Sequence, residues 1–244
     1  MSGRIASGDM RPGRARDRLI IAIDGPVGAG KSTAARLLAR RLGYRYVDSG
    51  AMYRALAWKA LQEGLDLDDE QSVRRLAEAT FITLESSGDR QLILVDGQEV
   101  SRQIREREVE QASSRISTLV SVRRVMVGRQ REMAAQGGLV MDGRDIGTVV
   151  FPDADVKFYL EASLEVRAKR RYLEAQAAGG TRGLEEFAEE IKMRDARDMG
   201  RSASPLRKAN DAVIINTTEL DLFQVVAAME EEIQRKVFAS EGCG

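Results

Sequence analysis

Gly25-Pro26-Val27-Gly28-Ala29-Gly30-Lys31-Ser32 follows directly on the apolar run Leu19 to Asp24, and this junction decides the fold. The run is short, rich in Ile and closed by an acid, which reads as a buried strand. Beyond the turn, Ala34, Ala35, Leu37, Leu38 and Leu42 recur at helical spacing until Gly43, a natural C-terminal stop. The turn fits Gly-x-x-x-x-Gly-Lys-Ser/Thr at every defined position. Its glycines let backbone N–H groups point inward around phosphate oxygens, and the following helix presents its positive end to them. Lys31 adds a cation for the outer phosphates, and Ser32 a hydroxyl for Mg²⁺. Gly25, Pro26, Val27, Gly28, Ala29, Gly30, Lys31, Ser32 and Thr33 are therefore the expected phosphate cradle. The plain alternative is a Gly-rich strand-to-helix turn, but the full pattern arises by chance in under about 1% of chains of this composition.

Outward from this junction, helices and strands alternate. Tyr44 to Asp48 reads as a second strand, followed by helices at about Ala51 to Leu61 and 70 to 79. The acidic stretch Asp66 to Glu70 reads as helix N-terminal charge, since it lacks the glycine and spacing of a calcium loop. Residues 81 to 101 change period. Phe81 to Glu85 and Gln91 to Val95 are β-type runs, and Asp96-Gly97 is a two-residue hairpin signal. Residues 106 to 135 read as helix, Leu139 to Asp142 as a strand ending in an acid, and Val156 to Leu160 as another strand. Helices follow at about 163 to 178 and 184 to 199. Ala212 to Ile215 is the last strand, and Leu222, Val225, Val226, Met229 and Ile233 stripe a closing helix. Strands separated by helices imply right-handed crossovers. The expected class is α/β: a P-loop parallel sheet flanked by helices, interrupted by a small antiparallel β insertion.

The 244 residues suit one large domain carrying an insertion. With 43% apolar and 31% charged residues the composition is that of a soluble globular protein. Lys plus Arg and Asp plus Glu are both 38, a balance that argues against a protein coating nucleic acid. The chain has no histidine, which excludes Ser-His-Asp chemistry, His-ligated metals and a histidine base. The single Cys243 excludes an internal disulfide and a multi-Cys zinc site, and fits a reducing, cytoplasmic compartment. No apolar run approaches the ~18 residues of a membrane span. Residues 1 to 18, with five arginines among Gly, Ser and Pro12 and no apolar stretch, read as a disordered leader rather than a signal or transit peptide.

Two further features point to phosphoryl chemistry. Asp142, at the end of an apolar strand, is the kind of acid that orients a metal or its waters beside a P-loop; the competing reading is a plain Asp142-Gly143 turn. Arg194, Asp198 and Arg201 fall at i, i+4 and i+7, with Arg197 beside them, and Arg167, Arg170 and Arg171 cluster on the preceding helix. Alone these would be a solvated face with weak ion pairs. Beside a P-loop they supply the guanidiniums that a transferring phosphoryl group needs. Asn-Lys-x-Asp, the guanine-reading motif of a GTPase, is absent from the sequence.

Four segments carry a wider likeness: Ile23-Asp24-Gly25, Asp48-Ser49-Gly50-Ala51-Met52-Tyr53-Arg54, Asp142-Gly143-Arg144-Asp145-Ile146-Gly147-Thr148-Val149-Val150-Phe151-Pro152, and Arg194-Asp195-Ala196-Arg197-Asp198. Together they resemble the bacterial cytidylate kinases among the nucleoside monophosphate kinases, over about Leu19 to Phe238. The resemblance implies ATP-dependent, Mg²⁺-assisted phosphorylation of CMP and dCMP. It implies that Ser49, Arg54, Arg144 and Arg201 lie around the acceptor phosphate and that Tyr53 also lines the acceptor site. It further implies that Ser114, Arg123 and Asp145 read the cytosine and that Arg194 and Asp198 hold the ribose. Lys31, Arg144, Arg194 and Arg201 would be catalytic, Arg167 and Arg170 would join the ATP cradle, and Ser32 and Asp142 would face the metal. It also implies a monophosphate-binding insertion over about 50 to 135, including the small sheet 81 to 101, a helical lid over about 167 to 200, and a tail from 239 to 244. Ser32 stands where many such kinases have glycine. Within the residues themselves other functions stay open: a kinase of another small acceptor, or a nucleotide-binding regulator without catalysis. The expected partners are small molecules, with no nucleic-acid polymer and no membrane, and the expected state is a monomer that opens and closes freely.

Overall fold

A computed structural model describes residues 18–87, 90–177 and 179–241. The expected leader lies outside the described residues apart from Arg18, as does Cys243. Five strands form the central sheet: β1 (Ile20–Asp24), β2 (Arg45–Asp48), β6 (Leu139–Asp142), β7 (Val156–Glu161) and β8 (Val213–Asn216), in the order β2-β6-β1-β7-β8 and all parallel. The register pairs Asp48 with Asp142 and Asp24 with Tyr159, so the acids that close β1, β2 and β6 emerge at one edge. The chain leaves β1 for β2 on one side, whereas β7, its neighbour on the other side, runs on to β8 in the opposite direction across the sheet. That reversal opens a crevice beyond the C-terminal end of β1, where ligands of such sheets bind.

The helices are α1 (Lys31–Leu42), α2 (Ser49–Gln62), α3 (Glu70–Ala79), α4 (Arg107–Ile116), α5 (Val120–Met133), α6 (Leu164–Ala177), α7 (Leu184–Met199) and α8 (Leu222–Glu241). Alternation along β1 splits the core. Ile21 and Ile23 pack with Leu38, Phe158 and Met229 on the α1 and α8 side, while Ala22 packs with Met52, Leu56 and Met126 on the other. A third, small cluster of Ala168, Phe187 and Ile191 joins α6 to α7. Among the described residues no helix is long and apolar enough to cross a membrane.

Local chemistry sets the ends of these elements. Gly43 closes α1 at φ 67°, as expected. Asp69 caps α3 by accepting from the N–H groups of Gln71 and Ser72, which accounts for the acidic stretch before it. Asp96 and Gly97, both at positive φ, turn β4 (Arg90–Val95) into β5 (Gln98–Glu99), and β3 (Ile82–Ser87) completes the small antiparallel sheet.

The structure departs from the sequence reading in two places. The expected helix over 106 to 135 is two helices, broken at 117–119. There the Ser117 and Thr118 hydroxyls donate to the carbonyls of Ser114 and Arg115 and the chain leaves the helix. The closing helix also runs on to Glu241, into the stretch expected to be a tail.

Candidate active site

Close approach explains the cradle's glycines. At Gly25, φ is 146° and a Cβ would stand 2.0 Å from the Leu160 carbonyl oxygen; at Gly28, φ is 78° and a Cβ would meet that of Arg167 at 2.9 Å. Lys31, the first residue of α1, is buried and its Nζ donates to the Pro26 carbonyl at 2.7 Å. Burial, and then the neighbouring Arg144, push its ammonium down to about 7, although Asp142 and Asp24 pull the other way.

Asp142 closes β6 and is almost completely buried. Its Oδ2 accepts from Ser32 Oγ at 2.7 Å and its Oδ1 from the Tyr46 hydroxyl at 2.8 Å, while its backbone oxygen accepts from Ser49 Oγ at 2.6 Å. Burial and the nearby Asp48 push its carboxyl up to about 6. A hydroxyl and a carboxylate side by side are hard oxygen donors that suit Mg²⁺. No group of three or more His, Cys, Asp or Glu side chains placed to hold a metal ion occurs among the described residues.

On the acceptor side, Asp48 caps α2 through the Ala51 N–H at 2.8 Å and pairs with Arg54 at 2.9 Å. Burial works against ionisation of Asp48, but the Arg54 guanidinium and the Ala51 N–H hold its carboxyl below the usual range. At the far end Asp145 is paired with Arg123, whose other nitrogen donates to the Ser117 carbonyl at 3.1 Å and whose guanidinium lies 5.5 Å from the centre of the Tyr53 ring. Asp198 is a hub: Arg144 Nε donates to it at 2.9 Å, and Arg201 pairs with its other oxygen. The Arg194 side chain forms no hydrogen bond or ion pair with any described residue. Burial and the adjacent Arg144 lower its guanidinium to about 10. The Tyr53 hydroxyl and the Nε atoms of Arg54, Arg123 and Arg201 are buried without partners, so the cleft they line holds polar groups that a ligand would satisfy.

Lys31, Ser32, Thr33, Val27, Gly28, Gly30, Ser49, Tyr53, Arg54, Ser114, Arg123, Asp142, Arg144, Asp145, Arg194, Asp198 and Arg201 thus come together around one cleft. Gly25, Pro26 and Ala29 shape the loop without lining that cleft. Arg167 and Arg170 do not line it either. Arg167 donates to the Val27 carbonyl at 3.1 Å and pairs with Asp195 at 2.6 Å, and Arg170 donates to Thr217 beside a second recess behind the loop. Arg197 turns to α4 and donates to Ser114 Oγ at 2.6 Å. Arg171, one of the arginines clustered on α6, also lines the cleft, together with Arg36, Asp48, Arg105, Glu110 and Glu174, to which the sequence assigned no role. Asp48 was legible as a capping acid before a helix; the others are surface-type residues whose placement depends on tertiary packing.

The cytidylate kinase family model matches residues 21–235. A cytidylate kinase of Geobacillus sp. is 49% identical over 222 residues, covering 91% of this chain and 99% of that protein. One from Geobacillus thermodenitrificans is 50% identical over 220 residues, covering 90% of this chain and 98% of that protein. Among solved structures, an uncharacterized protein from Eubacterium ventriosum matches with a TM-score of 0.51 at 12% identity, over 88% of this chain and 98% of that one, a likeness of fold alone. The family match takes in the cradle, the β insertion and the α6–α7 pair without a break, and the chain belongs to the cytidylate kinase family.

Proposed function

We propose that the cleft transfers the γ-phosphoryl group of ATP in line to the phosphate of CMP or dCMP. Membership of the family carries the ATP-dependent phosphorylation of CMP; the residue roles are our assignment. The observation that supports them best is that one cleft holds the P-loop lysine, the unpaired Arg194 beside Arg144, and the Asp145–Arg123 pair. The cradle and Lys31 bind the ATP phosphates. The recess lined by Arg170, Thr217 and Leu222 takes the base of ATP, and Arg167 holds the loop by its Val27 carbonyl. Ser49, Tyr53, Arg54, Arg144 and Arg201 receive the acceptor phosphate and its surroundings, Arg194 and Asp198 the ribose, and Ser114, Arg123 and Asp145 the cytosine. Ser32 and Asp142 would hold Mg²⁺, which would add positive charge to offset that of the phosphates. The acceptor phosphate is already ionised, so positioning and charge, not a base, lower the barrier, and the lack of histidine is no handicap. An acceptor panel with ATP and Mg²⁺ tests this. ADP is expected to form rapidly with CMP and dCMP and slowly with UMP; ADP formation independent of any monophosphate would overturn it.

We divide the chain into a core, a monophosphate-binding insertion over about 50–135 and a lid formed by α6 and α7, and we take the protein to act as a cytoplasmic monomer. The lid pair has its own small core and meets α4 chiefly through long side chains: Arg171 to Glu110 at 2.8 Å, Arg197 to Ser114 at 2.6 Å, and beyond α7 Arg201 to Ser117 at 3.0 Å. Such contacts are readily exchanged, so the lid should open without loss of the main core. Hydrogen exchange over residues 165 to 200 is expected to slow when a bisubstrate analogue binds. Equal exchange with and without it would exclude a closing lid.

A further inference from the structure

Asp24 ends β1 immediately before the cradle, yet neither the cradle nor the metal-facing group uses it. Its Oδ1 accepts from the Ile146 N–H at 2.8 Å and its Oδ2 from the Gly147 N–H at 2.7 Å. One residue earlier, the Ile23 carbonyl accepts from the Gly143 N–H at 2.9 Å. The last two residues of β1 therefore grip both ends of the short segment that carries Arg144 and Asp145. We propose that Asp24 is a positioning residue for acceptor recognition: its two carboxylate oxygens fix Arg144 and Asp145 to the strand that carries the phosphate cradle. This rests on the acceptor roles proposed above for those two residues.

The residue type supports the assignment. Two consecutive backbone N–H groups need two acceptors, which a carboxylate has and an amide does not, since an asparagine would turn its NH₂ against one of them. The placement is costly. Asp24 is only 4% exposed, it makes no ion pair with a described residue, and burial pushes its carboxyl up to about 7, with Asp145 adding to the rise and Lys31 opposing it. The strand end itself has no use for a buried acid; the two donors that Asp24 satisfies both belong to the segment it holds.

The test is Asp24→Asn, with CMP and ATP followed separately. Misplacing the segment by a fraction of an ångström is expected to raise KM for CMP by about tenfold or more. The ratio of kcat/KM for CMP to that for UMP is expected to drop by about threefold or more. The Kd for a non-hydrolysable ATP analogue should stay within about twofold of the parent, because the cradle's carbonyls are held by Lys31, Arg167 and Thr217 and not by Asp24. A loss shared equally by CMP and ATP, or no change in either, would overturn the proposal. Asp24→Glu, which keeps both acceptors but moves them by one methylene, gives the same reading if the Asn variant fails to fold: CMP affected and ATP spared supports the proposal, equal losses refute it. The parent protein is measured alongside. If it shows no preference for CMP over UMP, the acceptor reading itself fails; if it shows the preference and the variants do not disturb it, only the role of Asp24 falls.

Discussion

Replacing Lys31 by Met is expected to lower kcat by about 10²- to 10³-fold, the usual loss for a preorganised charge stabiliser, while Tm near neutral pH stays the same or rises. The two halves of this result have one cause. Lys31 is buried beside Arg144 and Arg194, with its ammonium pushed down to about 7 from an ordinary value of 10.5. Between those values the unfolded chain binds more protons than the folded one, so stability rises with pH across that window and the lysine is a burden below it. Met keeps the packed stem and removes the cation. Its advantage in stability should therefore be full at and below about pH 7 and fade toward about pH 10, reduced somewhat because Asp142 and Asp24 lose a cation that favours their ionised forms. Phosphates entering the cradle restore the lysine's proton, so ATP binding at about pH 8 is expected to take up close to one proton, and Lys31→Arg to abolish that uptake. Calorimetry in buffers of different ionisation enthalpy reads the uptake directly. Near-parent turnover in a folded Met variant would remove Lys31 from the mechanism.

The cradle was legible because phosphate geometry dictates each of its residue types. Gly25 has no room for a Cβ beside Leu160, and Lys31 and Ser32 bring a cation and a hydroxyl to fixed places at a helix start. The parallel sheet was legible for a related reason: strands buried on both faces read as short apolar runs, and β1 and β6 are of that kind. What escaped depends on partners distant in sequence or on competition at single residues. The break at 117–119 turns on two hydroxyls that capture helix carbonyls, and periodicity does not register that. The edge strand β5 has only two residues, too few to show a period. The arginines of α7 cluster in sequence, but Arg197 faces Ser114 while Arg194 faces the cleft. A long side chain chooses its partner in the folded molecule, and i,i+3 spacing on one helix does not reveal it. The role of Asp24 is not legible in the sequence, because its two partners lie more than 120 residues away.

The second large effect concerns the base. Removing the Asp145 side chain is expected to reduce the preference for CMP over UMP by roughly 5- to 150-fold, since one well-made polar contact to a base edge is worth about 1 to 3 kcal/mol. An ionised carboxylate only accepts, so it favours the amine of cytosine and opposes the carbonyl of uracil. The structure adds a complication and a sharper test. Asp145 is paired through Oδ2 with Arg123, both side chains being nearly inaccessible, and Oδ1 has no hydrogen-bond donor among the described residues. Asp145→Ala therefore strands a buried guanidinium and should cost about 3 to 5 kcal/mol of stability, which would blur any reading of activity alone. Asp145→Asn avoids most of this. Arg123 can only donate, so it orients the new amide with its oxygen inward, and the NH₂ group then occupies the place of Oδ1. A donor at that place suits the uracil carbonyl and opposes the cytosine amine. The Asn variant is thus expected to shift the CMP to UMP ratio of kcat/KM toward UMP at least as far as Ala does, while melting closer to the parent. If kcat/KM for the two acceptors falls by one common factor in both variants, Asp145 serves only to hold Arg123, and the choice of base is made elsewhere in the cleft.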